Sequence, residues 1–180
     1  VLTTDRPAKD TETTLRFKAR LEVGGGVQLP TKVEVSFRGR TGDDAVIAEN
    51  ANPKIVGRYL TRSELPLVLP HYDRTAAIRQ KISALAGRAE VQARDVFDLA
   101  VLCKSGEDFD LGVISSNMDV ALLTLARERA FELATNAYEG QVLEFLDEPD
   151  RVAHADNWEE YQLVAAMLIE SILDAKRVTR

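Results

Sequence analysis

Sulfur and imidazole are nearly missing from this chain: one cysteine, Cys103, and two histidines, His71 and His154, stand among 180 residues. A single thiol closes no internal disulfide, and three such side chains so far apart in sequence make no zinc spacing. Cys103 therefore reads as a small apolar residue late in an apolar helix. Long hydrophobic runs are lacking as well. No stretch approaches the ~20 consecutive apolar residues that a helical membrane span needs, and the opening VLTTDRPAKD has neither the basic nor the apolar region of a secretory leader. These absences predict a cytoplasmic protein with no membrane association. No internal repeat and no low-complexity tract is present. Val1 is not an initiator methionine, so the sequence is expected to be a piece of a longer protein.

What is present is enough for one compact core, since 45% of the residues are hydrophobic. The net charge of -6 is unevenly spread: 17 Lys and Arg stand against 13 Asp and Glu through Lys104, and 6 against 16 from Ser105 onward. A basic first half suits the handling of phosphates, and an acidic second half suits solubility or a basic partner. Uneven solvated faces would produce the same count.

The basic half begins with a polar lead, expected to be mobile through about Thr11. TLRFKARLEV then alternates, with Leu15, Phe17, Ala19, Leu21 and Val23 on one face and Arg16, Lys18, Arg20 and Glu22 on the other, the pattern of a half-buried strand. Gly24, Gly25, Gly26 and Pro30 interrupt it, and TKVEVSFRG resumes it with Lys32, Glu34, Ser36 and Arg38 on the polar face. The simplest connection is a hairpin. The glycines are not a phosphate loop, because neither a GKS or GKT nor a helix start follows them. Residues 39–57 read as loop, and Leu65–Leu69 as a short strand broken by Pro66 and closed by Pro70.

From Thr75 the apolar period lengthens from two to about 3.6. Ile78, Ile82 and Leu85 form a stripe, with Lys81, Ala84 and Arg88 along its edge. Gly87 and the polar residues up to Gln92 end this helix. The next helix sets Asp95 and Asp98 one turn apart among Val96, Phe97, Leu99, Ala100, Val101 and Leu102, and an unpaired carboxylate in such surroundings costs several kcal/mol. Two arrangements resolve that cost. In one, Arg94 pairs with Asp98 at i,i+4 while Asp95 favours the helix dipole. In the other, Lys81 and Arg88 converge on the two aspartates at the mouth of a cleft roofed by Lys32, Glu34 and Arg38. The acidic half continues as helices: MDVALLTLARERAFELA, GQVLEFL and WEEYQLVAAMLIESILDAK. Within the last, Trp158, Tyr161, Val164, Leu168 and Ile172 keep helical spacing and read as core. The acid-x-acid pair of Asp108 and Asp110 in GEDFDLG reads as a loop and helix-start feature.

The strand KVEVSFRG, the later KxxAxxxR of Lys81, Ala84 and Arg88, and the RDxxDL of Arg94, Asp95, Asp98 and Leu99 resemble, in order and spacing, the nucleotidyltransferase toxins of the AbiEii/AbiGii family. These are abortive-infection toxins of type IV toxin–antitoxin systems. The resemblance covers roughly residues 14 to 104 by motif and the rest by architecture. It implies an α+β protein: a partial nucleotidyltransferase fold with a mixed sheet in residues 1–72, and a helical part with a C-terminal bundle in residues 73–180. It further implies transfer of a nucleotide from a nucleoside triphosphate to an acceptor, tRNA for some members, with Mg²⁺ as cofactor and a cognate antitoxin as partner. Carried onto this sequence, Lys81, Asp95 and Asp98 are the catalytic residues. Lys32, Lys81 and Arg88 bind the nucleotide, and Glu34 assists the metal. A cation clamp with carboxylate-held Mg²⁺ is what charge developing on phosphate oxygens calls for. The family's first motif, a GG or GS pair followed by acid-x-acid, is absent before residue 14, so the chain as it stands is expected to bind nucleotide weakly and transfer nothing. An inactive module that keeps the fold and binds a partner is the alternative.

Overall fold

Alternation in TLRFKARLEV does produce a strand with the anticipated bounds. In the computed structural model, which describes residues 9–11, 14–23, 26–36, 46–50, 68–104 and 109–178, β2 is Thr14–Val23, flanked by β1 (Lys9–Thr11) and β3 (Val27–Ser36) in an antiparallel sheet of order β1-β2-β3. Val23 pairs with Val27. Gly26 in the turn between them has φ +76°, a left-handed conformation that glycine adopts without the Cβ clash. Two expectations change here. The lead is not unstructured up to Thr11: Lys9 pairs with Arg16 and Thr11 with Thr14, because β2 offers that edge a row of backbone donors and acceptors that a neighbour can satisfy. Pro30 does not interrupt the second strand but lies inside it opposite Arg20, which an edge strand allows since one side of its backbone needs no ladder partner. Arg38 lies outside the described residues.

The chain divides into two compact units, Val1–Asp44 and Ala45–Arg180. The second opens with β4 (Val46–Asn50) and β5 (Val68–Tyr72), paired antiparallel from Val46↔Tyr72 to Asn50↔Val68. The loop expected over 39–57 is thus a strand at 46–50. Of the strand expected at Leu65–Leu69, residues 65–67 lie outside the described residues, while Val68 and Leu69 belong to β5, which runs on through Pro70, paired with Ala48. In a two-stranded ribbon both strands are edges, so a missing N–H can face outward.

Helices fill the rest of this unit: α1 (Arg74–Gly87), α2 (Ala93–Lys104), α3 (Leu111–Ser116), α4 (Val120–Arg129), α5 (Thr135–Gln141), a 3₁₀ turn at Leu143–Phe145, α6 (Glu148–His154) and α7 (Trp158–Val178). Aspartate side chains cap three of them. Asp73 accepts from the Ala76 N–H at 2.7 Å, Asp110 from Val113 at 2.9 Å and Asp147 from Asp150 at 3.2 Å, each satisfying a first-turn donor that has no partner within the helix. Asp110 is therefore the helix-start residue its spacing suggested, while Asp108 lies outside the described residues. The helix expected over 118–134 stops at Arg129, and GQVLEFL is not one helix: α5 ends at Gln141 and a 3₁₀ turn follows.

The core is built where these apolar stripes meet. Ile78, Ile82 and Leu85 of α1, Val96 and Leu99 of α2, Ile114, Leu123, Ile169 and Ile172 are all fully buried. Each contributes roughly 1.5–3 kcal/mol relative to exposure. Helix α7 packs against α2, α3 and α4, and α1 packs against α2 and α4. Of the five residues whose spacing suggested core, Trp158, Tyr161, Leu168 and Ile172 are buried and Val164 is partly buried against them, with Trp158 stacked on Tyr138 at 4.8 Å between centroids. Cys103 is a partly buried residue packed against that core. Among the described residues no helix is long and apolar enough to cross a membrane.

Candidate functional site

Two helical turns separate Lys81 from Arg88, which puts both on the edge of α1 that faces α2. Asp95 lies in the first turn of α2, and Asp98 one turn later. Packing of the two helices brings all four together. Arg88 Nε donates to Asp95 Oδ2 at 2.7 Å. Lys81 Nζ lies 3.6 Å from Asp95 Oδ1 and pairs closely with Asp98 Oδ2.

Burial separates the roles of the two aspartates. The Asp95 side chain has no exposure, while those of Lys81, Arg88 and Asp98 keep 33%, 38% and 36%. Asp95 is thus the buried acid that the apolar surroundings of α2 required to meet a cation, and it meets two. Among the described residues its Oδ1 accepts no hydrogen bond and faces the Lys81 ammonium at 3.6 Å. Arg94 is exposed, and it is Lys81 that engages Asp98. Lys81 thus meets both aspartates and Arg88 meets Asp95, the convergence of cations and acids that the second of the two arrangements called for.

Arg88 is also the residue at which α1 ends. Its backbone is extended, with φ -71° and ψ 144°, and its N–H donates to Ala84 O at 3.1 Å. The helix stops there because the Arg88–Gln92 connection reverses the chain into α2, and this turn aims the Arg88 side chain back at Asp95. Asp95 N–H in turn donates to Gln92 O at 3.0 Å.

Lys32 and Glu34 belong to β3, in the other compact unit, where they pair with Lys18 and Arg16 in the strand register. Lys81, Arg88, Asp95 and Asp98 make up the α1–α2 cluster. Its carboxylates do not fit a divalent cation: both already face cations. Among the described residues no group of three or more His, Cys, Asp or Glu side chains is arranged to hold a metal. Sequence reasoning missed Arg129 of α4 and Gln141 of α5, whose side chains bond the backbone on either side of this turn. No local motif marks them, since each acts more than forty residues from its partners.

Comparison with known proteins gives one match and two blanks. The family model described as nucleotidyl transferase AbiEii toxin, type IV TA system, matches residues 2–175. No curated protein and no solved structure matches the chain.

Proposed function

Since the chain belongs to the AbiEii nucleotidyl transferase toxins of type IV toxin–antitoxin systems, we propose that it moves a nucleotide from a nucleoside triphosphate onto a nucleic-acid acceptor such as tRNA, with Lys81 as the triphosphate contact. The observation that carries this reading is the placement of Lys81. Its side chain is a third exposed, and its ammonium lies between a buried aspartate and a partly exposed one.

The roles follow from that geometry. Arg88 holds Asp95 in place from one side, so Asp95 is a fixed countercharge behind Lys81. Asp98 is at the accessible edge, and its contact with Lys81 is exchangeable with solvent or substrate. An arriving triphosphate presents oxygens that compete with Asp98 for the Lys81 ammonium, while Asp95 stays behind it. Lys81 then lies against phosphate oxygens as negative charge builds on them, the position from which a preformed cation lowers the barrier most. Asp98, released, is the acid free to accept a proton from the attacking acceptor hydroxyl. Lys32, as a further nucleotide contact, and Glu34, as a metal-assisting acid, extend the proposal on resemblance alone. Families of this kind use a divalent metal, Mg²⁺ in this proposal, but the Asp95–Asp98 pair does not fit it and no step is routed through it. The cognate antitoxin is the partner that the family implies.

The self-paired state of the four charges supports a second reading, a fold-keeping module without catalysis. Labelled nucleoside triphosphates incubated with the full gene product, Mg²⁺ and total tRNA separate the two. Transfer of label by the wild type, falling ~10²-fold or more in Lys81→Ala as expected for loss of one preorganised transition-state contact, supports the enzyme. Equal transfer by wild type and Lys81→Ala would remove Lys81 from the site. No transfer with any of the four triphosphates, and no growth arrest on expression, would leave the module.

A further inference from the structure

We propose that Arg129 and Gln141 are positioning residues that clamp the α1–α2 turn from both sides and thereby set Arg88 on Asp95. The kinetic consequence rests on the transfer reading above, and the structural consequence does not.

Helix α1 has no basic residue in its own last turn, so its terminal carbonyls need donors from elsewhere. Arg129, at the end of α4, supplies them. Its Nη1 approaches Leu85 O at 3.3 Å, Ala86 O at 2.8 Å and Arg88 O at 2.7 Å. The guanidinium thus places positive charge at the negative end of the α1 dipole. Its Nε is buried without a hydrogen-bond partner, so the polar work of this side chain among the described residues is directed at those carbonyls.

The other end of the turn is held in a matching way. The first N–H of α2, that of Ala93, donates to Gln141 Oε1 at 2.7 Å from α5. Arg88 consequently has its carbonyl on Arg129, its N–H on Ala84 and its Nε on Asp95. With backbone and side chain held at once, the Arg88 guanidinium has one orientation to adopt, and through Asp95 that orientation fixes the countercharge behind Lys81. Release of the backbone by Arg129→Ala lets the turn relax and Arg88 leave Asp95.

The Arg88 Nε–H resonance of the ¹⁵N-labelled 180-residue chain reads this directly, because a charge-assisted hydrogen bond slows its exchange with water. The expected result is exchange at least about tenfold faster in Arg129→Ala, with recovery in Arg129→Lys, which restores a cation and donors. In the full gene product the same pair should show kcat down about tenfold and KM within about twofold, again recovered by lysine. If Arg129→Ala does not fold, Arg129→Gln, which keeps a donor without the charge, carries the same two readouts. An Arg88 signal unchanged in a folded variant overturns the clamp, even if the melting temperature falls. A lost signal with unchanged kcat overturns the positioning role. A wild type that transfers nothing refutes the parent reading, and the Arg88 signal still decides the clamp.

Discussion

Removing Lys81 and Arg88 together should cost more than the two single removals added. Asp95 has no solvent exposure, receives a hydrogen bond from Arg88 at 2.7 Å and faces Lys81 at 3.6 Å. Arg88→Ala deletes a charge-assisted hydrogen bond, a loss of about 2 kcal/mol, but leaves Lys81 close by. Lys81→Ala deletes a longer contact and a partly exposed pair with Asp98, about 1 kcal/mol or less, and leaves Arg88 in place. Only the double variant strands a buried carboxylate without any cation, for which about 4–5 kcal/mol is the expected scale. The excess over additivity should therefore be about 1–2 kcal/mol. Adding Asp95→Asn should recover part of the loss, because a neutral amide needs no countercharge. Urea unfolding of the four chains and the triple variant at one pH and salt measures these differences. Strict additivity, or a triple variant no more stable than the double, would refute the view that the two cations share one buried acid.

Two other outcomes follow from the same geometry and from the aromatic core. Asp98→Ala should cost less than about 1 kcal/mol in urea melts, since Asp98 is a third exposed and Lys81 keeps Asp95. Burial of Tyr138, and then the neighbouring Tyr161, push the Tyr138 hydroxyl up from 10.0 to about 12, in keeping with its donation to His154 O at 2.9 Å. The unfolded chain loses this proton first. The stabilisation is thus complete below pH 10 and is lost as pH rises from 10 toward 12. Urea midpoints should fall over that range, and less steeply in Tyr138→Phe; an equal fall in both would discount Tyr138 as the cause.

How much of this was legible in the sequence differs between elements for physical reasons. Strand β2 and helix α1 could be read directly, because each presents an apolar face of its own period and a glycine at its end: Gly24 to Gly26 after β2, Gly87 at the last position of α1. Strands β1 and β4 could not. Each takes its place through pairing with a neighbour, Lys9–Thr11 on β2 and Val46–Asn50 on β5, and a short polar or mixed segment carries no periodic sign of that pairing. Pro30 and Pro70 misled for the same reason: whether a strand tolerates proline depends on whether it is an edge, a property of the sheet and not of the segment.

The sequence by itself determined that Lys81, Arg88, Asp95 and Asp98 belong to one problem, since apolar neighbours around two aspartates demand a compensating charge. It also placed the chain with the nucleotidyltransferase toxins, through motifs whose order needs no coordinates. Which cation meets which acid was decided only by packing. The choice between Arg94 and Lys81 as the partner of Asp98 is one between a helical pair worth a few tenths of a kcal/mol and a contact created by the approach of α1 to α2, and the second wins because burial of Asp95 draws both α1 cations to that face. Arg129 and Gln141 had no sequence signature at all. Their role exists because α4 and α5 end where α1 stops and α2 begins, and backbone groups left unsatisfied by a helix end accept whichever donor or acceptor the tertiary fold carries to them.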